Sequence, residues 1–197
     1  EFRRVLFRSR DEAKDLSLVE MFKNDSFVFV AGSSWQPDED LFIEYFNNHP
    51  GLKLIIAPHV IDENHLVEII RKLKRPYVRY TRADGKNIRK ADCLIIDCFG
   101  LLSSIYRYGE IAYIGGGFGV GIHNTLEAAV YGIPVIFGPK YQKFMEATQL
   151  IEAKGAFSIT TYDELSTLLD RLLSDEVFLR ETGTNAGYYV TGNAGAT

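Results

Sequence analysis

The chain has 197 residues, 46% hydrophobic and 24% charged, enough for one well-buried domain and short for two. Its 22 basic and 26 acidic side chains leave a formal charge of −4, which argues against a nucleic-acid partner. No apolar run approaches the ~18 residues of a membrane span and no signal peptide is visible; Cys93 and Cys98 fit neither a CxxC pair nor a zinc half-site, so reduced thiols in a cytoplasmic setting are the default.

Residues 1–9, EFRRVLFRS, resemble one translated frame of a sequencing-library adapter rather than a basic arm, since Phe2, Leu6 and Phe7 follow no helical period. They are set aside from fold reasoning. The chain is therefore expected to be a fragment that lacks an upstream domain, and the tail NAGAT ends without a helix-closing signal. Residues 10–26 read as a linker or short helix, and 27–197 as one domain.

Within that domain the pattern is regular. FVFVAG (27–32) reads as a buried strand, followed by a helix over 38–47; LKLIIAP (52–58) is a second strand, followed by a helix over 62–74. Strands are predicted at 76–80 and 93–97, a short helix at 101–108, a strand at 111–117 and a helix at 124–132. PVIFG (134–138) is a sixth strand, with a helix over 141–153 after it; 156–160 reads as an edge strand and 162–174 as the last helix. Strands apolar on both faces, alternating with amphipathic helices, predict a Rossmann-like α/β fold: a mainly parallel sheet of about six strands with helices on both faces. Ligands of such sheets bind at the carboxyl ends of the strands, which directs attention to the turns there.

Four turns carry candidate chemistry. In AGSSWQPDED, Gly32 permits a tight turn and the hydroxyls of Ser33 and Ser34 can donate to an anion before a helix N-terminus; Asp38 as a simple helix cap explains the same residues. In IIAPHVIDEN, Pro58 fixes the backbone and His59 leaves the strand end, either toward the crevice or as an ordinary surface histidine. In IIDCFGLLSS, Phe99 and Gly100 form a backbone edge that can meet a planar base, or a plain turn. The fourth, IGGGFGVGIHNTLEAAVYG, places glycines at 115, 116, 117, 119 and 121 ahead of a helix whose first turn holds Asn124 and Glu127. A capping box explains Asn124 and Glu127 but not five glycines, which let a ligand approach the backbone. A carboxylate beside a phosphate is repelled, so a ribose diol is the natural partner of Glu127. His49, His59, His65 and His123 lack metal-ligand spacing. The basic run Arg71, Lys72, Lys74, Arg75, Arg79 and Arg82 reads as a solvated helix end or as a contact for anionic lipid headgroups.

Taken together, these motifs are similar to those of the Kdo (3-deoxy-D-manno-octulosonic acid) transferases. The glycine-rich loop running into His123-Asn124 and Glu127 resembles that family's signature, as do Gly32-Ser33-Ser34-Trp35, Ala57-Pro58-His59, and PVIFGP followed by Phe144 and Glu146. The motifs lie in family order between about residue 15 and 197; Gly100-Leu101-Leu102 departs from the family's Gly-Glu-Leu, so an acidic side chain has no role at 101. The resemblance implies the C-terminal half of a GT-B glycosyltransferase, two Rossmann-like domains facing across a cleft. That half would bind CMP-Kdo, and the acceptor site for a lipid A precursor and the catalytic base would lie in the absent N-terminal domain. The chain alone is then expected to be inactive and to contain no catalytic residue, no metal and no cofactor. The full-length protein would sit at the cytoplasmic face of the inner membrane.

By the same resemblance Pro58, His59, Phe99, Gly100 and Leu101 would border the cytidine. Asn124, Thr125, Leu126 and Glu127 would line the ribose and phosphate, and Ser33, Ser34, Gly116, Gly117 and His123 the sugar and phosphate. The alternatives are another GT-B enzyme using a UDP-sugar, a glycosyltransferase or an epimerase, and a non-catalytic α/β binding module of flavodoxin or receiver type.

Overall fold

The computed structural model describes residues 16–194; the adapter-like segment, the start of the linker and the last three residues lie outside the described residues. Seven parallel strands form one sheet: β1 (Phe27–Ser34), β2 (Leu52–Pro58), β3 (Tyr77–Arg79), β4 (Cys93–Ile95), β5 (Ile111–Ile114), β6 (Val135–Phe137) and β7 (Ala156–Ser158). Their order across the sheet is β3-β4-β2-β1-β5-β6-β7, so β7 is the edge strand read from the sequence.

The central strands β1, β2, β4, β5 and β6 are apolar on both sides because both sides are covered, while the edge strand β3 leaves Tyr77 exposed. Val28 and Val30 enter one core with Ile55, Leu94 and Ala112, while Phe29 and Ala31 enter the other with Ile56, Cys93 and Tyr113. Helices α2 (Gln36–Asn47), α3 (Glu63–Lys72) and α7 (Tyr162–Ser174) bury Phe42, Leu66 and Leu169 in the second core. The first core is closed by α1 (Ser17–Lys23), α5 (Leu126–Ala129), α6 (Met145–Glu152) and α8 (Glu176–Ala194), with α4 (Leu102–Ile105) and a 3-10 turn at Tyr106–Tyr108 beside them. Helix starts follow local chemistry: Asp62 accepts the N–H of His65 at 2.8 Å, and Thr161 that of Glu164 at 3.2 Å.

Several elements differ from the sequence reading. Helix α1 packs Val19 and Phe22 into the core, and the N–H of Leu16 donates to the Tyr108 hydroxyl at 2.9 Å. The strand expected at 111–117 ends at Ile114, because Gly115–Gly117 leave the ladder; the helix expected at 124–132 shrinks to Leu126–Ala129. Helix α8 was not expected at all. Its Gly183 and Gly187 lie against Gly132, and a Cβ on Gly183 would stand 2.4 Å from the Gly132 carbonyl oxygen. Residues that weaken an isolated helix are thus what let this one pack closely.

From β1 the chain builds β2, β3 and β4 to one side, then returns to β5 on the other side of β1. The strand order reverses between β1 and β5, and the crevice at their carboxyl ends is where such sheets receive ligands.

Candidate functional site

At the end of β1 the register with β2 slips between Gly32 and Ser34, leaving Ser33 as a bulge at φ +52°. Gly32 is needed for space rather than for its φ: a Cβ there would meet the Tyr106 hydroxyl at 1.9 Å. Ser34 turns inward. It is fully buried and its hydroxyl donates to Glu39 Oε1 at 3.0 Å, so the expected anion donor is committed to the protein. Ser33 faces the crevice.

Asp38, 1% exposed, is more than a cap. Its carboxylate accepts from the Trp35 N–H at 2.9 Å, the Tyr113 hydroxyl at 2.7 Å and the Gly116 N–H at 3.1 Å, joining the β1 turn, β5 and the glycine-rich loop. Burial pushes the Asp38 carboxyl above the usual aspartate range, and these donors, with His123 nearby, pull it back only in part. Glu39 is raised in the same way by burial, against the pull of His65, which it meets at 2.8 Å, and of Ser34.

The five glycines now have individual reasons. A Cβ on Gly115 would lie 2.2 Å from the Ser33 oxygen, and one on Gly117 would lie 2.6 Å from Gly138; Gly116 and Gly121 hold φ +97° and +104°. Only Gly119 opens onto free space. Gly116 and Gly117 are buried, and the Gly116 N–H is already bound to Asp38. The structure therefore moves Ser34, Gly116 and Gly117 from the expected ligand-facing set to the frame beneath it, leaving Ser33 and His123.

Above that frame three rings lie in a row. Trp35 lies on His59 with centroids 4.6 Å apart, and His59 lies beside His123 at 4.5 Å. The His59 N–H donates to the Ser34 carbonyl at 2.9 Å, which fixes the strand-end geometry expected of Pro58-His59. The ladder joins the ends of β1 and β2 to the loop after β5. Burial and the adjacent His59 lower the pKa of His123, so its ring is neutral at neutral pH despite Asp38. His123 Nε2 and Trp35 Nε1 are buried with no protein partner.

Two clefts flank the ladder. The first, about 240 Å³, is lined by Ser33, Pro58, His59, Ile96, Cys98, Phe99 and Gly100, among others. Phe99 is 80% exposed and Gly100 sits at φ +87°, while Leu101 caps the start of α4 and does not line the cleft. The β4 end is braced from below. Burial would raise the Asp97 carboxyl, but the Thr81 hydroxyl and N–H and the Arg79 guanidinium outweigh it and hold the group below the usual range. The second cleft, about 250 Å³, is lined by Ile122, His123, Asn124, Thr125, Leu126, Phe144 and Glu146.

Glu127 lines neither cleft. Burial raises its pKa, and a hydrogen bond from the Asn124 side chain partly offsets this. Asn124 Oδ1 accepts the Leu126 N–H at 3.0 Å, so the helix start is served by Asn124, and Glu127 bonds that side chain rather than closing a capping box.

Of the basic run, Lys72 pairs with Asp40, Arg79 bonds Glu63 and Asp97, and Arg75 donates to the carbonyls of Phe46, His49, Pro50 and Leu52. Those three serve the fold; Arg71, Lys74 and Arg82 are exposed.

Sequence reasoning missed Trp35 as a ring partner, Asp38 as a keystone, and Ile61, Ile96, Cys98 and Leu102 as walls of the first cleft. The three consecutive acids at 38–40 hold a signal for Asp38 and Glu39, but a helix N-terminus explains acids there without burial. Among the described residues no group of three or more His, Cys, Asp or Glu could hold a metal ion, and no helix is long and apolar enough to cross a membrane.

No family model matches the sequence. The 3-deoxy-D-manno-octulosonic acid transferase of Aquifex aeolicus is 34% identical over 151 residues, which are 74% of this chain and 41% of that protein. The enzyme of the same name from Rickettsia bellii is 37% identical over 165 residues, 80% of this chain and 39% of that protein. The chain thus spans about two fifths of the length of these curated relatives. Among solved structures, the C-terminal CMP-Kdo binding domain of WaaA from Acinetobacter baumannii superposes with a TM-score of 0.76 at 18% identity, covering 95% of this chain and 98% of that one. Anabaena HepE in complex with UDP-glucose gives 0.61 at 14% identity, covering 91% of this chain and 49% of that one. At such identities the likeness is one of fold, that of the C-terminal domain of a GT-B glycosyltransferase.

Proposed function

We propose that this chain, a relative of the 3-deoxy-D-manno-octulosonic acid transferases, is the donor-binding part of such an enzyme: it holds CMP-Kdo while Kdo passes to a lipid A precursor in lipopolysaccharide biosynthesis. The observation that carries the reading is the Trp35–His59–His123 ladder at the β1/β5 switch point, with a cleft against His59 and another against His123. The cytosine lies against Phe99 and the backbone of Gly100, walled by Pro58. The phosphate lies at Ser33, His59 and His123, and the ribose diol reaches Glu127, which Asn124 orients.

In the transfer the bond between the Kdo anomeric carbon and the phosphate oxygen breaks, and the electron pair stays on CMP. The acceptor hydroxyl oxygen forms the new bond, and its proton goes to a base in the other domain that the resemblance implies. This chain's part is to stabilise the charge gathering on the departing phosphate through His59 and the Ser33 hydroxyl. The acceptor and the cytoplasmic face of the inner membrane belong to this reading as partners of the full-length protein.

A melting assay with nucleotides tests it. At a hundredfold excess over its dissociation constant CMP should add about 2.7 kcal/mol, or roughly 5–10 °C for a domain of this size. UDP at the same concentration should do little. Stabilisation by UDP and not by CMP would favour the UDP-sugar reading instead.

A further inference from the structure

We infer that Glu39, buried beneath the turn after β1, is a positioning residue for the donor phosphate: it holds the Ser34 hydroxyl from inside, and through Ser34 it sets both Ser33 and His59. The inference rests on the phosphate placement proposed above and adds to it the group that keeps those side chains in place.

The turn needs a holder. Ser33 sits at φ +52°, a left-handed conformation that a residue with a Cβ seldom adopts and keeps only where its surroundings impose it. The slip in register between Gly32 and Ser34 puts Ser33 outward and Ser34 inward, and Ser34 is the fixed point of that slip. Its side chain is fully buried and its hydroxyl donates to Glu39 Oε1 at 3.0 Å, while its carbonyl accepts the His59 N–H at 2.9 Å. One residue therefore ties down the two groups assigned to the phosphate, Ser33 as its chain neighbour and His59 across the strand ends.

Glu39 is itself braced. His65, on α3, meets the same Oε1 at 2.8 Å, so the hold on Ser34 is shared between α2 and α3. Stability alone explains this carboxylate poorly. It is 1% exposed, burial opposes its charge, and its Oε2 atom is buried with no hydrogen-bond partner. An apolar side chain at 39 would avoid both penalties; what it could not do is accept the Ser34 hydroxyl. Glu39 lines neither cleft, so it acts through Ser34 rather than on the nucleotide.

The test is calorimetric titration of this chain, and of its Ser34→Ala, Glu39→Ala and Glu39→Gln variants, with CMP and with cytidine, which differ only by the phosphate. Wild type should bind CMP about tenfold or more tightly than cytidine, the gain expected from hydrogen bonds to a charged group. Ser34→Ala and Glu39→Ala should bind cytidine within about twofold of wild type and lose most of the preference for CMP. Glu39→Gln should keep that preference, because an amide oxygen accepts the Ser34 hydroxyl as a carboxylate does. If Glu39→Ala does not fold, Ser34→Ala decides, since it leaves Glu39 bonded to His65. Variants that melt earlier but keep the wild-type ratio of the two affinities would reduce Glu39 to a structural part and overturn the inference. So would a Gln variant that loses the preference as the Ala variant does. A wild type that binds CMP and cytidine equally overturns the phosphate placement, and one that binds neither overturns the donor-site reading; the positioning role falls with either.

Discussion

The two turns that border the mouth of the sheet, one after β5 and one after β4, are held by different means. In the first, the chain is pressed onto its neighbours: Gly115 on Ser33, Gly117 on Gly138, and Gly116 tied through its N–H to buried Asp38. In the second, only the root is fixed, by Thr81 and Arg79 on Asp97; beyond it Phe99 stands 80% exposed and a Cβ on Gly100 would meet nothing within 4 Å. One turn is preformed by packing, and the other is open for a ligand to cover. Glycines that look from the sequence like room for a ligand are, in the first turn, mostly room for the protein's own backbone.

The sharpest way to break this comparison is Asp38→Ala. It strands the Tyr113 hydroxyl and the Trp35 and Gly116 N–H groups, at about 1–3 kcal/mol for each buried group left unsatisfied. A loss of about 3 kcal/mol or more, or roughly 6–12 °C in thermal unfolding followed by circular dichroism, is expected. A change under about 1 kcal/mol would mean that Asp38 does not hold the loop.

Next come the glycines. Gly117→Ala forces a methyl to 2.6 Å from the Gly138 backbone, which should cost about 1–3 kcal/mol by overpacking. Gly119→Ala meets open space, with no positive φ to strain, and should stay within about 0.5 kcal/mol of wild type. Denaturant melts of the two variants check the pair; equal effects would return the glycines to a ligand-binding role.

Phe99→Ala tests the open turn. Stability should not change, since the ring is exposed, while CMP affinity should fall about threefold to tenfold if the ring stacks on the base. Fluorescence or calorimetric titration reads this directly.

The smallest expected effect is in pH, and it has opposite signs at the two turns. Asp97 is held below the usual aspartate range, so the stability it contributes is present above the unfolded-state pKa and is lost as pH falls through the lower folded value. Asp38 is raised by burial, so its contribution is full below the unfolded-state pKa and is lost as pH rises through the higher folded value. Asp97→Asn should flatten the acid side of the stability profile and Asp38→Asn the side just above the carboxylate range, as read by denaturant melts across that window.

The sheet was legible because its central strands are apolar on both faces, as FVFVAG and LKLIIAP show, and a doubly covered parallel sheet asks for that. Helix α8 was not, because Gly183 and Gly187 read as helix-weakening residues and their reason lies in Gly132, some fifty residues away in the chain. The site divides in the same way. Pro58 closes β2 and His59, Phe99, Gly100 and His123 follow strands; Pro58, His59, Phe99 and Gly100 share the first cleft, and His123 lies against His59. Ser34 has the same local pattern as Ser33 but faces the core, because the bulge at Ser33 reverses which side chain points outward. Asp38 and Glu146 act through partners or walls set by tertiary packing, which no local spacing reveals.

The central claim, that a cytidine nucleotide lies across this mouth with its ribose on Glu127, meets its most direct test in one set of calorimetric titrations. Wild type and Glu127→Gln are each titrated with CMP and with its 2′,3′-dideoxy analogue. Wild type should bind CMP. The Gln variant should bind it roughly tenfold to a hundredfold more weakly, the effect of about 1.5–3 kcal/mol for a hydrogen bond to a charged group. The dideoxy analogue should cost wild type a similar factor and the variant less. No binding of CMP by wild type, or equal CMP affinities for the two proteins, would contradict the account.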